Sequence, residues 1–416
     1  MPERASVDYV IVGGGIAGTT AADGIRKKSD GRVMIVTDEP HPLYSRVRLP
    51  DYVAGQIPRE RVFMKDEAWY RERDIQLVRE RSVVRLSPAD RSVQLSDGST
   101  VCYGTLLLAM GGAARRLACE GADWDGVHYL RTIDDADRIR AAIPASSRAV
   151  VIGGGFIGLE LARCFAQHGR ETTLVLMEPW FWPHLLDQES GAMIERTLRD
   201  HGIDVRYSEQ LQSIRSDGTL GQAVMASGRS FACDILGVGI GISTLHPFVK
   251  DAGLDARKGI VTDEHLRTSA PSVFAAGDVA EFFDLTRGRS NQIGNWSNAM
   301  EQGKVAGLNM AGEQTPYRFV SNYVITVFGL AIGFAGDPSA PPGTEVIKRG
   351  SPEGGTYTRI FVRAGVIKGA TVLNAPKDNV TIGQLIKQDI RVDSARAQLA
   401  DPAFDLKSLL QGNGNP

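Results

Sequence analysis

Short apolar runs recur along the chain, and most of them end near glycine. They are residues 9–12 (YVIV), 33–36 (VMIV) and 106–109 (LLLA), followed by 149–152 (AVVI), 172–176 (TTLVL) and 235–239 (ILGVG). Runs of this length, bounded by turn residues, are typical of strands buried on both faces of a parallel sheet. Segments 156–168, 190–202 and 297–309 predict helices. The pattern therefore predicts an α/β fold with two βαβ units.

The pattern changes after residue 316. Short β-rich runs follow, such as 356–362 (TYTRIFV), and residues 381–410 predict a helical tail. The longest apolar stretch, residues 323–335, contains two glycines and is too short for a membrane-spanning helix, so it predicts buried strands. The change of pattern after residue 316 therefore predicts a third domain in the last hundred residues.

Earlier in the chain, residues 82–98 predict a hairpin whose turn contains Asp97 and Gly98.

Two glycine motifs carry the first chemical signal. Each has the pattern G-x-G-x-x-G between a strand and a helix, and we call them the first and second fingerprints. Their glycines are Gly13, Gly15 and Gly18, and then Gly153, Gly155 and Gly158. The first glycine of each permits a tight turn, the second lets the backbone approach a pyrophosphate, and the third lets helix and strand pack closely. The phosphate charge then lies at the helix N-terminus. Two fingerprints predict two dinucleotides, with hydride transfer between them.

An acidic residue follows each fingerprint at the spacing of a ribose-binding carboxylate. Glu39 lies 21 residues after Gly18, with Asp38 as a competing candidate, and Glu178 lies 20 residues after Gly158. A carboxylate at this place accepts hydrogen bonds from ribose hydroxyls and repels a 2′-phosphate. Because no arginine is adjacent to it, Glu178 favours NAD(H) over NADP(H). Either acid could instead be a solvated turn residue.

Composition narrows the classes of partner. The net charge of −2 gives no electrostatic basis for binding nucleic acid or an anionic membrane. The first eight residues are polar and show no signal peptide. The four cysteines lack metal-site spacing. We therefore expect a cytoplasmic protein with free thiols and no metal site.

Six further segments are similar to motifs of the FAD-dependent pyridine-nucleotide oxidoreductases. The branch is that of the ferredoxin and rubredoxin reductases and the flavin part of NADH nitrite reductases, and the resemblance extends from Asp8 to about Leu410. The segments are 43–49 (LYSRVRL), 107–111 (LLAMG), 129–132 (YLRT), 238–241 (VGIG), 274–278 (FAAGD) and 296–303 (WSNAMEQG).

The resemblance implies two Rossmann-like dinucleotide-binding domains and a C-terminal α+β domain. The FAD-binding domain would be formed by residues 1–112 and 244–314, the NAD(H)-binding domain by 113–243, and the C-terminal interface domain by 315–416. The implied FAD-binding residues are Gly13, Gly15, Ala17, Gly18, Glu39, Arg46, Val83, Ala109, Gly111, Arg131, Asp278 and Trp296. The implied NAD(H)-binding residues are Gly153, Gly155, Ile157, Gly158, Glu178 and Gly241.

Some of these residues have a more specific implied role. Asp278 would bind the ribityl chain, and Arg46 and Arg131 the FAD phosphates or the isoalloxazine edge, although either arginine could instead lie at the surface. The helix beginning near Ser297 would direct its positive end at the flavin. Glu160 is the candidate catalytic residue, near the nicotinamide amide. It could also be an ordinary acid of the first helical turn.

The chain also departs from the family. Related disulfide reductases carry redox cysteines in the loop of the first domain, whereas residues 44–55 contain none. Asp51 follows Pro50 where ferredoxin reductases typically have a lysine that faces the flavin. Met110 replaces the usual threonine, and residues 242–244 (IST) replace an Arg-Pro-Asn run. The aromatic run 178–184 (EPWFWPH) could be a docking patch or could pack on the nucleotide domain.

These observations predict an oxidoreductase that exchanges hydride with NAD(H) and single electrons with an iron–sulfur or rubredoxin-type carrier. It could act alone or as the NAD-linked flavin subunit of a complex such as an aldehyde or 2-oxoacid oxidoreductase. The alternatives are an NADH oxidase that uses oxygen and a slow-turnover flavoprotein that serves as a redox sensor or scaffold.

Overall fold

The computed structural model describes residues 5–216, 218, 221–285 and 287–411. The chain divides into two units, and each is assembled from separate segments. The first unit consists of Met1–Arg48, Ile57–Ala113 and Ile242–Phe319. The second consists of Leu49–Gln56, Ala114–Gly241 and Val320–Pro416.

Strands and helices alternate in residues 5–36 and 127–206, and runs of consecutive strands occupy residues 75–129, 203–243 and 322–373. Residues 5–112 contain β1 Ala5–Val12, α1 Ile16–Arg26, β2 Val33–Val36, α2 Leu49–Val53, α3 Glu67–Arg71, β3 Ile75–Val78, β4 Val83–Ser87, β5 Ser92–Leu95 and β6 Thr100–Leu108. Residues 113–243 contain β7 Ala113–Ala114, β8 Val127–Tyr129, α4 Ile133–Ala142, β9 Arg148–Ile152, α5 Phe156–Gln167, β10 Glu171–Val175, α6 Gln188–Asp200, β11 Ile203–Arg206, β12 Leu211–Ser216, β13 Gly221–Met225, β14 Ser230–Cys233, β15 Ile235–Val238 and β16 Ile242–Ser243. Residues 244–314 contain α7 Pro247–Asp251, β17 Ile260–Thr262, β18 Val273–Ala275, β19 Ala280–Asp284, β20 Arg289–Asn291 and α8 Trp296–Met310. Residues 315–411 contain β21 Asn322–Val327, β22 Leu330–Gly336, β23 Glu345–Ser351, β24 Thr356–Arg363, β25 Val366–Leu373, α9 Pro376–Lys387 and α10 Ser408–Gln411.

The main sheet of the first unit is parallel at its centre and covered on both faces. Its order is β3-β2-β1-β6, with β18 parallel to the end of β6 and the antiparallel pair β5-β4 beyond it. Successive residues of a strand point to opposite faces. Accordingly, Val10 and Val12 belong to one core and Ile11 to the other, which also contains residues of α1 and α8. This explains why β1 is an unbroken apolar run.

The second unit repeats the parallel arrangement and adds an antiparallel sheet. The parallel sheet has the order β11-β10-β9-β15-β8, and the antiparallel sheet has the order β21-β22-β25-β24-β23. The apolar stretch 323–335 forms most of the hairpin β21–β22, which confirms the prediction of strands. Helix α9 packs on this sheet through Ile382, Leu385 and Ile386. The predicted α/β class, with a different C-terminal domain, is therefore confirmed.

Two predictions of local structure were wrong. Residues 381–410 are not one helix, because α9 spans Pro376–Lys387 and short 3-10 turns follow it. The start of α9 is marked in the sequence by Pro376, since proline is favoured at the first helical position. The hairpin predicted at residues 82–98 is confirmed as β4–β5, but its turn lies at residues 88–91, where Arg91 takes a positive φ of 46°. The Asp97–Gly98 turn instead joins β5 to β6.

The predicted domain limits stay a prediction. Residues 114–241 and 320–416 fall in one unit, although each of these stretches has its own sheet. Within the described residues, no helix combines the length and the apolar character that crossing a membrane requires.

Candidate functional site

The first fingerprint is a tight turn that only glycine can form at two of its positions. Gly13 has a φ of +114°, and a Cβ there would overlap the carbonyl of Ala109. A Cβ on Gly18 would overlap the carbonyl of Gly13. A Cβ on Gly15, in contrast, would meet nothing within 4 Å. Gly15 is the N-cap of α1 and provides no side-chain cap, so the helix N-terminus faces open space. An anion such as a pyrophosphate fits this cradle.

The second fingerprint has the same geometry. Gly153 has a φ of +103°, and a Cβ there would lie 2.5 Å from the carbonyl oxygen of Gly239. A Cβ on Gly158 would overlap the carbonyl of Gly153, whereas the nearest atom to a Cβ on Gly155 would be 3.6 Å away. Gly155 caps α5 without a side chain, whereas Thr132 and Asp187 cap α4 and α6 with theirs. Each fingerprint helix therefore begins with an open N-terminus at the carboxyl end of a parallel strand.

Glu39, and not Asp38, is the acid that the structure fixes after β2. Asp38 is exposed. The Glu39 carboxylate forms an ion pair with Arg46 and accepts a hydrogen bond from the Tyr44 hydroxyl. Arg46 also donates to the Tyr44 hydroxyl at 2.8 Å. A carboxylate held in this way is ready to accept ribose hydroxyls. Tyr44 has no predicted role, although it lies in one of the quoted motifs.

The turn that carries Asp278 is held by two glutamines. Gly277 has a φ of +82°, and its N–H donates to the buried Gln302 side chain at 2.7 Å. The Gln292 amide donates to the Asp278 carbonyl at 2.7 Å. The Asp278 carboxylate is close enough to Arg46 to help raise the pKa of that arginine, against the opposing effect of burial. The structure thus brings Glu39, Arg46 and Asp278 into one polar region of the first unit.

Helices α1 and α8 run parallel and in backbone contact. A Cβ on Gly303 would overlap the carbonyl of Ala17, and a Cβ on Gly307 would overlap that of Ala21. The contact moves from Gly303 to Gly307 on α8 and from Ala17 to Ala21 on α1, so the two helices run in the same direction. Their N-termini therefore lie at the same end. Trp296 precedes Gly303 by seven residues, whereas Ile16 precedes Ala17 by one. Helix α8 therefore extends about 9 Å further, at the helical rise per residue. The N-terminus of α8 thus lies beyond that of α1 at the same end of the helix pair, and the Asn295 side chain caps it by accepting from the Asn298 N–H at 2.8 Å.

The other predicted residues lie on three kinds of position. Some lie at or just beyond the ends of strands or start a helix: Val83 begins β4, Ala109 and Gly111 follow β6, and Trp296 begins α8 in the first unit, while Gly241 lies between β15 and β16 in the second. Ile157 and Glu178 are exposed, at the start of α5 and after β10. Arg131 precedes α4 in the second unit, where its backbone N–H donates to the Asp135 carboxylate at 3.0 Å.

Glu160 lies on the second turn of α5 in an ion pair with Arg163. The Arg163 Nε donates to Glu160 Oε2 at 2.7 Å, and its Nη2 donates to Asp51 Oδ1 at 3.0 Å. Burial raises the pKa of the Glu160 carboxyl, while the Arg163 guanidinium opposes that shift. Arg163 has no predicted role. No short motif contains it, because its second partner is 112 residues away.

The aromatic run after β10 packs on the nucleotide-binding part of the second unit. Phe181 is fully buried. The Trp182 indole N–H donates to the carbonyl of Gly154 at 2.7 Å, and its ring lies 4.8 Å from that of Phe156 in an edge-on arrangement. Trp182 has a φ of +49°, which is unfavourable for a bulky residue. The alternative that the run packs on its own domain therefore describes these residues better than a docking patch does.

Since the sequence predicts that the second fingerprint binds NAD(H), replacing Trp182 by phenylalanine should weaken NADH binding without affecting FAD. Phenylalanine keeps the ring packing and removes the hydrogen bond that fixes the second fingerprint. We expect the KM for NADH to rise about fivefold, as for one lost hydrogen bond, with kcat unchanged. Trp180→Phe is the matched control, because its indole donates to Leu186 and not to the fingerprint. Equal effects of the two changes on KM would contradict this role.

All four cysteines lie in the described residues and are free thiols. Burial raises the pKa of Cys164 to about 12 and that of Cys233 to about 12. Burial also raises the pKa of Cys119. The thiols of Cys119, Cys164 and Cys233 therefore remain protonated at neutral pH and are poor nucleophiles.

Two family models match the chain. Residues 7–303 match the pyridine nucleotide-disulphide oxidoreductases, and residues 327–410 match the reductase C-terminal domain. The chain belongs to the pyridine nucleotide-disulphide oxidoreductases. The cofactors of this oxidoreductase are FAD and NAD(H). The two fingerprint cradles fit two dinucleotides of this kind.

Similar proteins cover nearly the whole chain. It is 30% identical over 408 residues to the biphenyl dioxygenase system ferredoxin–NAD(+) reductase component of Paraburkholderia xenovorans, covering 97% of this chain and 98% of that protein. A chain of the crystal structure of the covalent putidaredoxin reductase–putidaredoxin complex is 26% identical with a TM-score of 0.92, covering 99% and 100%. The epsilon subunit of NADH-dependent phenylglyoxylate dehydrogenase from Aromatoleum evansii is 29% identical, covering 91% of each chain.

Proposed function

We propose that this protein is a ferredoxin–NAD(+) reductase that passes electrons from NADH to a one-electron iron–sulfur protein. The observation that carries the proposal is the pair of open fingerprint cradles in a chain whose relatives include a named ferredoxin–NAD(+) reductase. FAD, when bound, accepts a hydride from NADH and releases electrons singly.

We assign FAD to the first fingerprint. The α1 N-terminus would hold the pyrophosphate at Gly13, Gly15 and Gly18, and Glu39 would bind the adenosine ribose. The stagger of α8 supports a long ligand, because its N-terminus lies about 9 Å beyond that of α1 at ~1.5 Å per residue. Asp278 would then bind ribityl hydroxyls, in the polar region that it shares with Arg46. Arg131, Val83, Ala109, Gly111, Ala17 and Trp296 stay proposed FAD contacts.

We assign NAD(H) to the second fingerprint. Its cradle at Gly153, Gly155 and Gly158 would hold the pyrophosphate, and the exposed Glu178 would bind the adenosine ribose. The carboxylate of Glu178 would repel a 2′-phosphate, so NADPH should be a poorer donor than NADH. Ile157 and Gly241 stay proposed contacts.

Glu160 is proposed to orient the nicotinamide carboxamide as a hydrogen-bond acceptor. Hydride transfer needs no proton from a side chain, so the contribution of Glu160 is to position the ligand. Replacing it by glutamine should slow flavin reduction without abolishing it. A loss beyond about a thousandfold, or ~4 kcal/mol, would indicate essential chemistry instead.

Membership of a larger complex is a second candidate, and the similarity to a phenylglyoxylate dehydrogenase subunit favours it. Free and complexed forms would use the same two cofactor sites and differ in how the iron–sulfur partner is held. Isolation of the native protein under gentle conditions distinguishes them, because a subunit of a complex co-elutes with its iron–sulfur partner in fixed ratio.

The experiment that tests the proposed function compares electron acceptors. The FAD-loaded protein is mixed with NADH and either a [2Fe–2S] ferredoxin or dissolved oxygen. We expect NADH-dependent ferredoxin reduction to exceed oxygen consumption at least about tenfold, because residues 44–55, where related reductases carry a redox cysteine, contain none. Faster turnover with oxygen would support an NADH oxidase. Negligible turnover with ferredoxin, rubredoxin and ferricyanide would support a sensor or scaffold.

A further inference from the structure

Helix α2 carries a carboxylate into contact with α5. The segment Leu49–Gln56 belongs to the second unit and is anchored there by several contacts. The Cys164 thiol donates to the Pro50 carbonyl at 3.2 Å, and the Tyr52 hydroxyl donates to Asp137 at 2.7 Å. The position of Asp51 beside Arg163 is therefore set by the packing of the whole segment.

Arg163 is a buried cation between two carboxylates. Its side chain is 6% exposed, while those of Glu160 and Asp51 are 17% and 43% exposed. Besides its bonds to these acids, Arg163 donates to Gln167 at 3.2 Å. Removing the guanidinium would leave two nearby carboxylates without a cation, one of them mostly buried. Burial without a partner cation raises the pKa of a carboxyl group and favours its neutral, protonated form.

We infer that Arg163 is a positioning residue that keeps Glu160 ionised and fixed, and that it supplies from α5 the cation that the sequence lacks at Asp51. The inference rests on the proposed role of Glu160. The arginine is three residues after Glu160 on the same helix, so the pair forms at a natural helical spacing. Asp51 holds the far side of the guanidinium and sets the direction of its Nε–H toward Glu160.

The physical consequence concerns the nicotinamide end of NAD(H) alone. An ionised Glu160 accepts a hydrogen bond from the carboxamide NH₂, whereas a protonated one presents a donor and has lost its fixed partner. The pyrophosphate and adenosine bind at Gly155 and Glu178, which Arg163 does not contact in the described residues. The loss of Arg163 should therefore slow hydride transfer and leave the adenosine half unaffected.

The test is anaerobic stopped-flow reduction of the FAD-loaded protein by saturating NADH. Arg163→Gln should lower the rate constant about 10- to 100-fold, as for one lost hydrogen bond to a charged group. ADP-ribose, which lacks nicotinamide, should bind the variant within about twofold of the wild type, by calorimetry. Arg163→Lys should retain most of the rate.

Arg199→Gln is the matched control. Arg199 also joins a glutamate of its own helix to an aspartate of another element, with Nε 2.8 Å from Glu195 and Nη1 3.5 Å from Asp204. It lies on α6, so its loss should leave flavin reduction unchanged. Equal slowing in both variants would show that any lost ion pair in this domain has the same effect, which overturns the inference.

A charge swap provides the decisive rescue. The Asp51 carboxylate is close enough to act electrostatically on Glu160. In the double variant Asp51→Lys with Arg163→Gln, the lysine ammonium group should replace the lost cation. The rate constant for flavin reduction should then be at least about tenfold higher than in Arg163→Gln alone. This variant also decides the matter if Arg163→Gln alone does not fold. A folded, FAD-loaded double variant that stays slow would overturn the inference.

Failure of the inference and failure of the proposed function give different results. If NADH does not reduce wild-type protein, the proposed function is wrong. If Glu160→Gln reduces at the wild-type rate, the proposed role of Glu160 is wrong. If Glu160→Gln is slow but Arg163→Gln is not, only the inference fails.

Discussion

Valine at Gly155 is expected to abolish flavin reduction by NADH while FAD stays bound. Gly155 has extended backbone angles, φ −70° and ψ 178°, so a side chain causes no backbone strain. The nearest atom to its Cβ would be 3.6 Å away, so the folded protein accommodates the first side-chain carbon. The added methyl groups would instead occupy the space in front of the α5 N-terminus. We expect the reduction rate at 0.1 mM NADH to fall at least about 100-fold, as for loss of the phosphate contacts, ~3 kcal/mol.

The same change in the first fingerprint should have the opposite pattern. Gly15 has φ −73° and ψ −171°, and a Cβ there would meet no atom within 4 Å. Gly15→Val should therefore yield folded protein that lacks FAD and still binds ADP-ribose. The absorbance ratio at 450 and 280 nm measures FAD, and calorimetry measures ADP-ribose. If Gly155→Val lost FAD and Gly15→Val retained it, the two assignments would be reversed.

Alanine at Gly303 is expected to destabilise the first unit and to release FAD. Its Cβ would overlap the Ala17 carbonyl, so α1 and α8 would have to separate to accommodate it. Forcing an atom into such a contact costs about 1–3 kcal/mol. The free energy of unfolding, measured in urea, should fall by that amount, and FAD content should fall with it.

Gly24→Ala is the matched control on the same helix pair. Its Cβ would lie 3.6 Å from the Lys304 carbonyl oxygen, an ordinary contact. Alanine is favoured over glycine within a helix by about 1 kcal/mol. This variant should equal or exceed the wild type in stability and keep its FAD. If Gly24→Ala and Gly303→Ala lowered the free energy of unfolding and the FAD content equally, close backbone contact between α1 and α8 at Gly303 would not be the cause.

The features that the sequence predicts well depend on short stretches of chain. A buried strand such as β1 is visible as an apolar run, and the fingerprints are visible because Gly13 and Gly18 must be glycine for steric reasons. The spacing from the first fingerprint singles out Glu39, whose role in ribose binding stays a prediction. The short helices and 3-10 turns after α9 were not identified, because they depend on packing against the C-terminal sheet.

The contacts that the sequence could not predict join residues far apart. Trp182 reaches the carbonyl of Gly154, 28 residues away, and Arg163 reaches Asp51 across 112 residues. An indole in a proline-flanked run is equally compatible with docking and with packing. The aspartate at position 51 indicated a missing cation, and the structure places an arginine of another helix beside it.

The path of the electrons is tested most directly by anaerobic titration of the FAD-loaded protein with NADH. FAD alone takes up two electrons, whereas FAD with a redox-active disulfide takes up four. We expect the flavin absorbance to be fully bleached at one NADH per FAD, because the cysteines are free thiols and those at positions 164 and 233 are buried. A requirement for two NADH per FAD, with thiols formed during the titration, would contradict direct transfer from the flavin to the partner.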